Sequence, residues 1–131
     1  MKKFILIFLS MLILAGCSAK SAQQHGHGIS IEMADSLNIK HMKLIKYVNG
    51  NEVESQNIIN ADNSSFAKGE IIWFDVSTYN SNSTVEFAVS YSNNSNGTNE
   101  RTTEKINVSN ENDWINVEFT EEFQLILVDS E

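Results

Sequence analysis

TVEFAVSY, residues Thr84 to Tyr91, decides the fold. Val85, Phe87, Val89 and Tyr91 fall on one side of an extended chain, with Thr84, Glu86, Ala88 and Ser90 on the other. An apolar residue at every second position is the signature of a half-buried strand, with one face in a core and one in water.

The same period recurs on either side. Ile115, Val117 and Phe119 alternate with Asn116 and Glu118, and Ile106 and Val108 point one way from the segment Arg101 to Val108. Glu70 to Val76 carries apolar residues on both faces at first, as expected of a strand near the centre of a sandwich. Phe123 to Val128 reads as a final buried strand. Asn49-Gly50 tolerates positive φ at both positions, which predicts a type I′ hairpin spanning Leu44 to Ile59. These segments predict an all-β fold: an antiparallel β-sandwich of about seven or eight strands, joined by Asn, Ser and Gly turns and immunoglobulin-like in size. The chain has no cysteine pair and no proline, so the likeness to immunoglobulin domains is one of architecture only. Met33 to Val48 is ambiguous, because Leu37, His41, Leu44, Ile45 and Val48 also sit at helical spacing. A strand is favoured for its second half, since the Asn49-Gly50 turn needs a strand before it.

At the other end, Lys2 and Lys3 precede an apolar run from Phe4 to Leu14 that is broken only by Ser10. A positive start and a run shorter than the ~20 residues of a spanning helix make this a secretory signal peptide. Leu14-Ala15-Gly16-Cys17 then resembles the lipobox of bacterial lipoproteins. That resemblance implies cleavage before Cys17 and a diacylglycerol thioether on its sulfur, placing the chain on the extracytoplasmic face of the cell membrane through a lipid anchor. A thioether sulfur is no nucleophile, disulfide partner or metal ligand. The expected organisation is a signal peptide over 1–16, a lipidated cysteine and flexible tether over 17–28, and the sandwich over 29–131. At about 3.3 Å per extended residue the tether can hold the domain roughly 30 Å from the bilayer.

Without its first 16 residues the chain keeps seven basic and seventeen acidic side chains, a formal charge of −10 over 115 residues. This excludes nucleic acid as a partner, since phosphate binding needs clustered cations. It also disfavours direct contact between the domain and an anionic lipid surface.

Few residues suggest reaction chemistry. His25 and His27, with His41 and Met42 further on, offer imidazole and thioether donors that copper or zinc accepts. The first pair sits between glycines in the tether, where nothing fixes the ligand distances a metal site requires. No bound cofactor is expected beyond the lipid on Cys17. No serine stands in a Gly-x-Ser-x-Gly elbow and no cysteine is free, so nucleophilic catalysis has no candidate. Glu70 and Asp75 flank an apolar patch, but a pair among seventeen acids does not identify a carboxylate mechanism. Glu111 and Asp113 do not amount to an organised calcium loop. An enzyme is therefore not expected.

Binding remains, and aromatic residues carry it. Trp73 lies opposite the Ile72, Phe74, Val76 face, Tyr79 follows it, and Trp114 opens a strand after a polar turn. These three are the candidate platforms for an envelope polysaccharide or protein, with burial in the core as the competing fate of each tryptophan. The expected function is that of a lipid-anchored, non-catalytic binding module, the alternative being a metal-handling lipoprotein that uses the histidines.

Overall fold

Alternation along each strand assembles two facing sheets. In this computed structural model residues 26–78, 82–111 and 113–131 are described. Their strands are β1 (Gly28–Met33), β2 (His41–Val48), β3 (Asn51–Ile59), β4 (Ile71–Asp75), β5 (Val85–Ser92), β6 (Arg101–Thr102), β7 (Ile106–Asn107), β8 (Trp114–Phe119) and β9 (Leu125–Ser130). One sheet has the order β4-β1-β8-β9. The other has the order β3-β2-β5-β6, with β7 also paired to β5.

The inward-facing side chains form the core between the sheets. Ile29, Ile31 and Met33 of β1, Ile115, Val117 and Phe119 of β8, and Phe87 and Val89 of β5 are all at most 1% exposed. Two loop residues close one end: Ile39 and Phe66 are buried, and the Phe66 amide donates to the Ile39 carbonyl at 2.8 Å. The core is continuous, as a chain without disulfides requires.

The hairpin reading holds: Asn49 and Gly50 have φ of 50° and 82°, and Val48 pairs with Asn51 across the turn. Asn38, Asn63, Asn82 and Asn99 also take positive φ. The abundance of asparagine thus has a backbone reason, because among residues with a side chain asparagine tolerates the left-handed region best.

The two facing, mainly antiparallel sheets are the expected all-β sandwich, and four finer points differ. The described residues form nine strands rather than seven or eight, because the segment Arg101 to Val108 splits into two short pieces, β6 and β7. The sheets are not wholly antiparallel, since β1 and β8 run parallel with Ile29 opposite Ile115. Only strands joined by tight turns must reverse direction, and these two are far apart in sequence. The segment Glu70 to Val76 does not lie near a sandwich centre: β4 is an edge strand, with Ile72 and Phe74 buried while Ile71 and Trp73 are 49% and 46% exposed. Likewise β9 is an edge strand, with Leu125 buried but Ile126 and Val128 about half or more exposed beside a register shift at Asn116/Val117. Two apolar faces read the same in sequence whether or not something covers the second. Met33 to Val48 contains no helix. His41–Val48 is a strand bonded on both sides, to β3 and to β5, and Met42 and Leu44 enter the core.

Candidate functional site

The outer face of the four-stranded sheet is built from residues one step out of phase with the core. Register places Asp75, Gly28 and Trp114 in one row across β4, β1 and β8, and Trp73, Ser30, Asn116 and Asp129 in the next. Both tryptophans named from sequence therefore lie on the same outer face, in adjacent rows.

Their exposures differ, and the reason is local. Trp114 is 4% exposed, a correction to its reading as an open platform. Its indole covers Gly28, where a Cβ would stand 2.6 Å from Cζ3. The missing side chain provides the space that the ring fills. The Trp114 Nε1 donates to Asn116 Oδ1 at 3.2 Å. Ser30 Oγ donates to the same oxygen, and Asn116 Nδ2 donates to Asp129 Oδ1, so Asn116 holds the row together. Trp73 is half exposed on the edge strand.

Beside Trp73 opens a cleft of about 600 Å³, whose lining includes His27, Glu54, Asp75 and one edge of Trp114. Strand β3 of the other sheet forms its far wall, tied across by Gln56 Nε2, which donates to the Asp75 carbonyl at 2.8 Å. At the mouth His27 Nδ1 stands 3.4 Å from Asp113 Oδ1, both side chains well exposed. A pair so open to water contributes little to stability. The lining thus combines indole rings with carboxylates and an imidazole. Such an arrangement suits a ring with an apolar face and hydroxyl groups at its edge. Carboxylate oxygens accept hydrogen bonds from hydroxyls, and their charge repels polyanions.

The other sequence candidates separate from this cleft. His41 begins β2 opposite Ser92, at the end of the sandwich where Tyr91 packs on Phe119 and Ala34 donates to the Phe119 carbonyl. His27 precedes β1 at the opposite end. Six residues of strand, at about 3.3 Å each, lie between those ends, so the two imidazoles do not share a site. The His41 ring is packed against Gly97, and its Nδ1 is buried without a hydrogen-bond partner among the described residues. Met42 is a core residue. No three His, Cys, Asp or Glu side chains among the described residues converge to hold a metal. Glu111 accepts a hydrogen bond from Ser130 Oγ at 2.6 Å. Cys17, His25 and Tyr79 lie outside the described residues.

Glu54 and Gln56 were not read from sequence. Glu54 lines the cleft and Gln56 bonds to Asp75 because β3 and β4 are edges of facing sheets, a relation between strands that no local pattern carries. Gly28 left a faint signal, as a glycine opening an apolar strand, which often marks close approach of another group.

Residues 1–18 match the prokaryotic membrane lipoprotein lipid attachment site, so the chain is a lipid-anchored lipoprotein. No curated protein and no solved structure matches it.

Proposed function

We propose that this lipoprotein is a non-catalytic binding module, tethered through Cys17 to the extracytoplasmic face of the cell membrane, that grips a hydroxyl-rich envelope polysaccharide at the Trp73 cleft. One observation carries this reading: Trp73, an aromatic residue large enough to cover a sugar ring, is 46% exposed beside a cleft of about 600 Å³ lined by hydrogen-bonding side chains. The anchor supports it, because a diacyl chain holds a domain at a membrane without occupying any of the domain's surface. The non-catalytic part rests on the sequence, which provides neither a free cysteine nor a nucleophile elbow.

The test uses the full lipoprotein in detergent micelles, passed over cell-wall polysaccharide immobilised on a solid support. Retention of the native protein and its loss in Trp73→Ala is the expected result. Equal retention of both, or of neither, overturns the site. Protease treatment of intact cells tests the location: the domain is degraded if it faces outward and spared if it does not.

A further inference from the structure

A second cleft, at the opposite end of the sandwich, has a different chemistry. Its volume is about 280 Å³, room for one sugar-sized residue. Its apolar lining is Leu37, Tyr91 and Phe123, and its polar lining Ser92, Asn93, Asn94, Asn99 and Arg101. Arg101 is the chain's only arginine and stands directly across from Tyr91 in the β5–β6 pairing.

Three features set this cleft apart. The first is charge. The clefts at Glu54 and Asp75, at Glu118 and Glu121, and at Asp62 and Glu70 all carry carboxylates. This one carries a cation and no acid. The neighbouring Glu100 is engaged elsewhere, by Lys43 Nζ at 3.3 Å. The second is that three of its five polar side chains are uncommitted, while Ser92 and Asn94 both donate to the Thr98 carbonyl. Among the described residues the side chains of Arg101, Asn93 and Asn99 make no hydrogen bond or ion pair, in a domain where carboxylates outnumber cations more than two to one. The third is backbone strain. Phe123 has φ of 60°, a region that bulky residues avoid, and its ring lies 5.2 Å from Tyr91, nearly parallel at 11°. Glycine or asparagine would fit that turn without strain. Packing on Tyr91 and Phe119 holds the ring there, and the same ring lines the cleft.

The geometry points to a binding site for a carboxylate-bearing sugar residue, a uronic acid unit of an envelope polymer. The Arg101 guanidinium pairs with the carboxylate through two parallel N–H···O bonds, a geometry that a lysine ammonium does not match. The amides of Asn93 and Asn99 both donate and accept, as sugar hydroxyls do. The sugar's C–H face rests on the half-buried Phe123, which is backed by the buried Tyr91 ring. This site is separate from the Trp73 cleft, so either can fail without the other.

The experiment titrates full-length lipoprotein in micelles with trigalacturonic acid and with its methyl ester, which keeps the body of the ligand and removes its charge. We expect the acid to bind roughly tenfold or more tightly than the ester, a preference abolished in Arg101→Gln and kept in Lys68→Gln, which removes a cation from another cleft. Arg101 is exposed, so its replacement leaves the fold intact, as the circular dichroism spectrum checks. Equal binding of acid and ester, no binding of either at millimolar concentration, or an unchanged preference in Arg101→Gln overturns the proposal. Tighter binding of N-acetylphenylalanine than of trigalacturonic acid also overturns it, by assigning the cleft to a peptide carboxyl terminus.

Discussion

Trp114 lies on Gly28 so closely that the ring occupies the volume a side chain at position 28 would take. The glycine has no positive φ to explain it, so its reason is steric. Gly28→Ala sets the new methyl group against both the indole and the Phe74 carbonyl oxygen, and a backbone oxygen in a paired strand has little room to move. A loss of about 1–3 kcal/mol is expected, the usual cost of overpacking. Urea denaturation with tryptophan fluorescence measures it, and stability equal to the native protein would contradict the packing described.

The two tryptophans predict different phenotypes. Trp114→Ala removes a buried ring and costs about 3–5 kcal/mol. Trp73→Ala costs about 1–2 kcal/mol, because half of its area already faces water and no closed cavity forms behind it. Both rings line the cleft, so binding should fall in either variant, but only Trp114→Ala should combine that with a large loss of stability. Denaturation midpoints for the two variants should therefore differ clearly, and coincident midpoints would sink the distinction.

Gly97 is required twice. Its φ of 76° disfavours any side chain, and a Cβ there would approach the His41 ring to 3.1 Å. Gly97→Ala is expected to lose about 1–2 kcal/mol from the backbone term alone. The imidazole resonances of His41 should move in the variant's NMR spectrum, whereas those of His27, at the other end of the domain, should not.

At Phe123 two terms oppose each other. Phe123→Gly relieves left-handed strain of about 1–2 kcal/mol but gives up a stacked pair and part of a ring's burial, of similar size. Overall stability should change by no more than about 1 kcal/mol, while near-ultraviolet dichroism from Tyr91 should fall. A variant much less stable than this would mean that the ring serves chiefly to hold the fold.

Asp62 provides a pH signature. Hydrogen bonds from the Ser64 side chain and backbone hold its carboxyl below the ordinary value of 3.8. Its ionised form is therefore favoured by folding. The stabilisation is present above the ordinary carboxylate range and is lost as pH falls through the lowered folded value. Carboxyl-carbon NMR should show an Asp62 midpoint below 3.8 that rises part of the way back in Ser64→Ala, where the backbone donor remains.

Much of the sandwich was legible because strand periodicity is local. Val85 to Tyr91, Ile115 to Phe119 and the Asn49-Gly50 turn each state which side faces the core within a few residues. The lipid anchor was equally legible, since a lipobox is read as a linear motif. Of the candidate site, Trp73 was visible from its phase against Ile72 and Phe74. Its neighbours Glu54 and Gln56 were not, and Trp114 carried the same outward phase while ending up buried.

The sequence alone thus determined most of the strands and their inward faces, the hairpin at Asn49-Gly50 and the anchor at Cys17, because each depends on residues close together in the chain. Strand order decided the rest. Pairing put β4 at a sheet edge, which left Trp73 open to solvent. It set Gly28 opposite Trp114, which gave the indole a place to lie. It also brought Arg101 to Tyr91, and sheet packing brought Phe123 to the same ring, so one arginine became part of a cleft. These contacts join residues distant in sequence, and only the closure of two sheets around one core determines which of them meet.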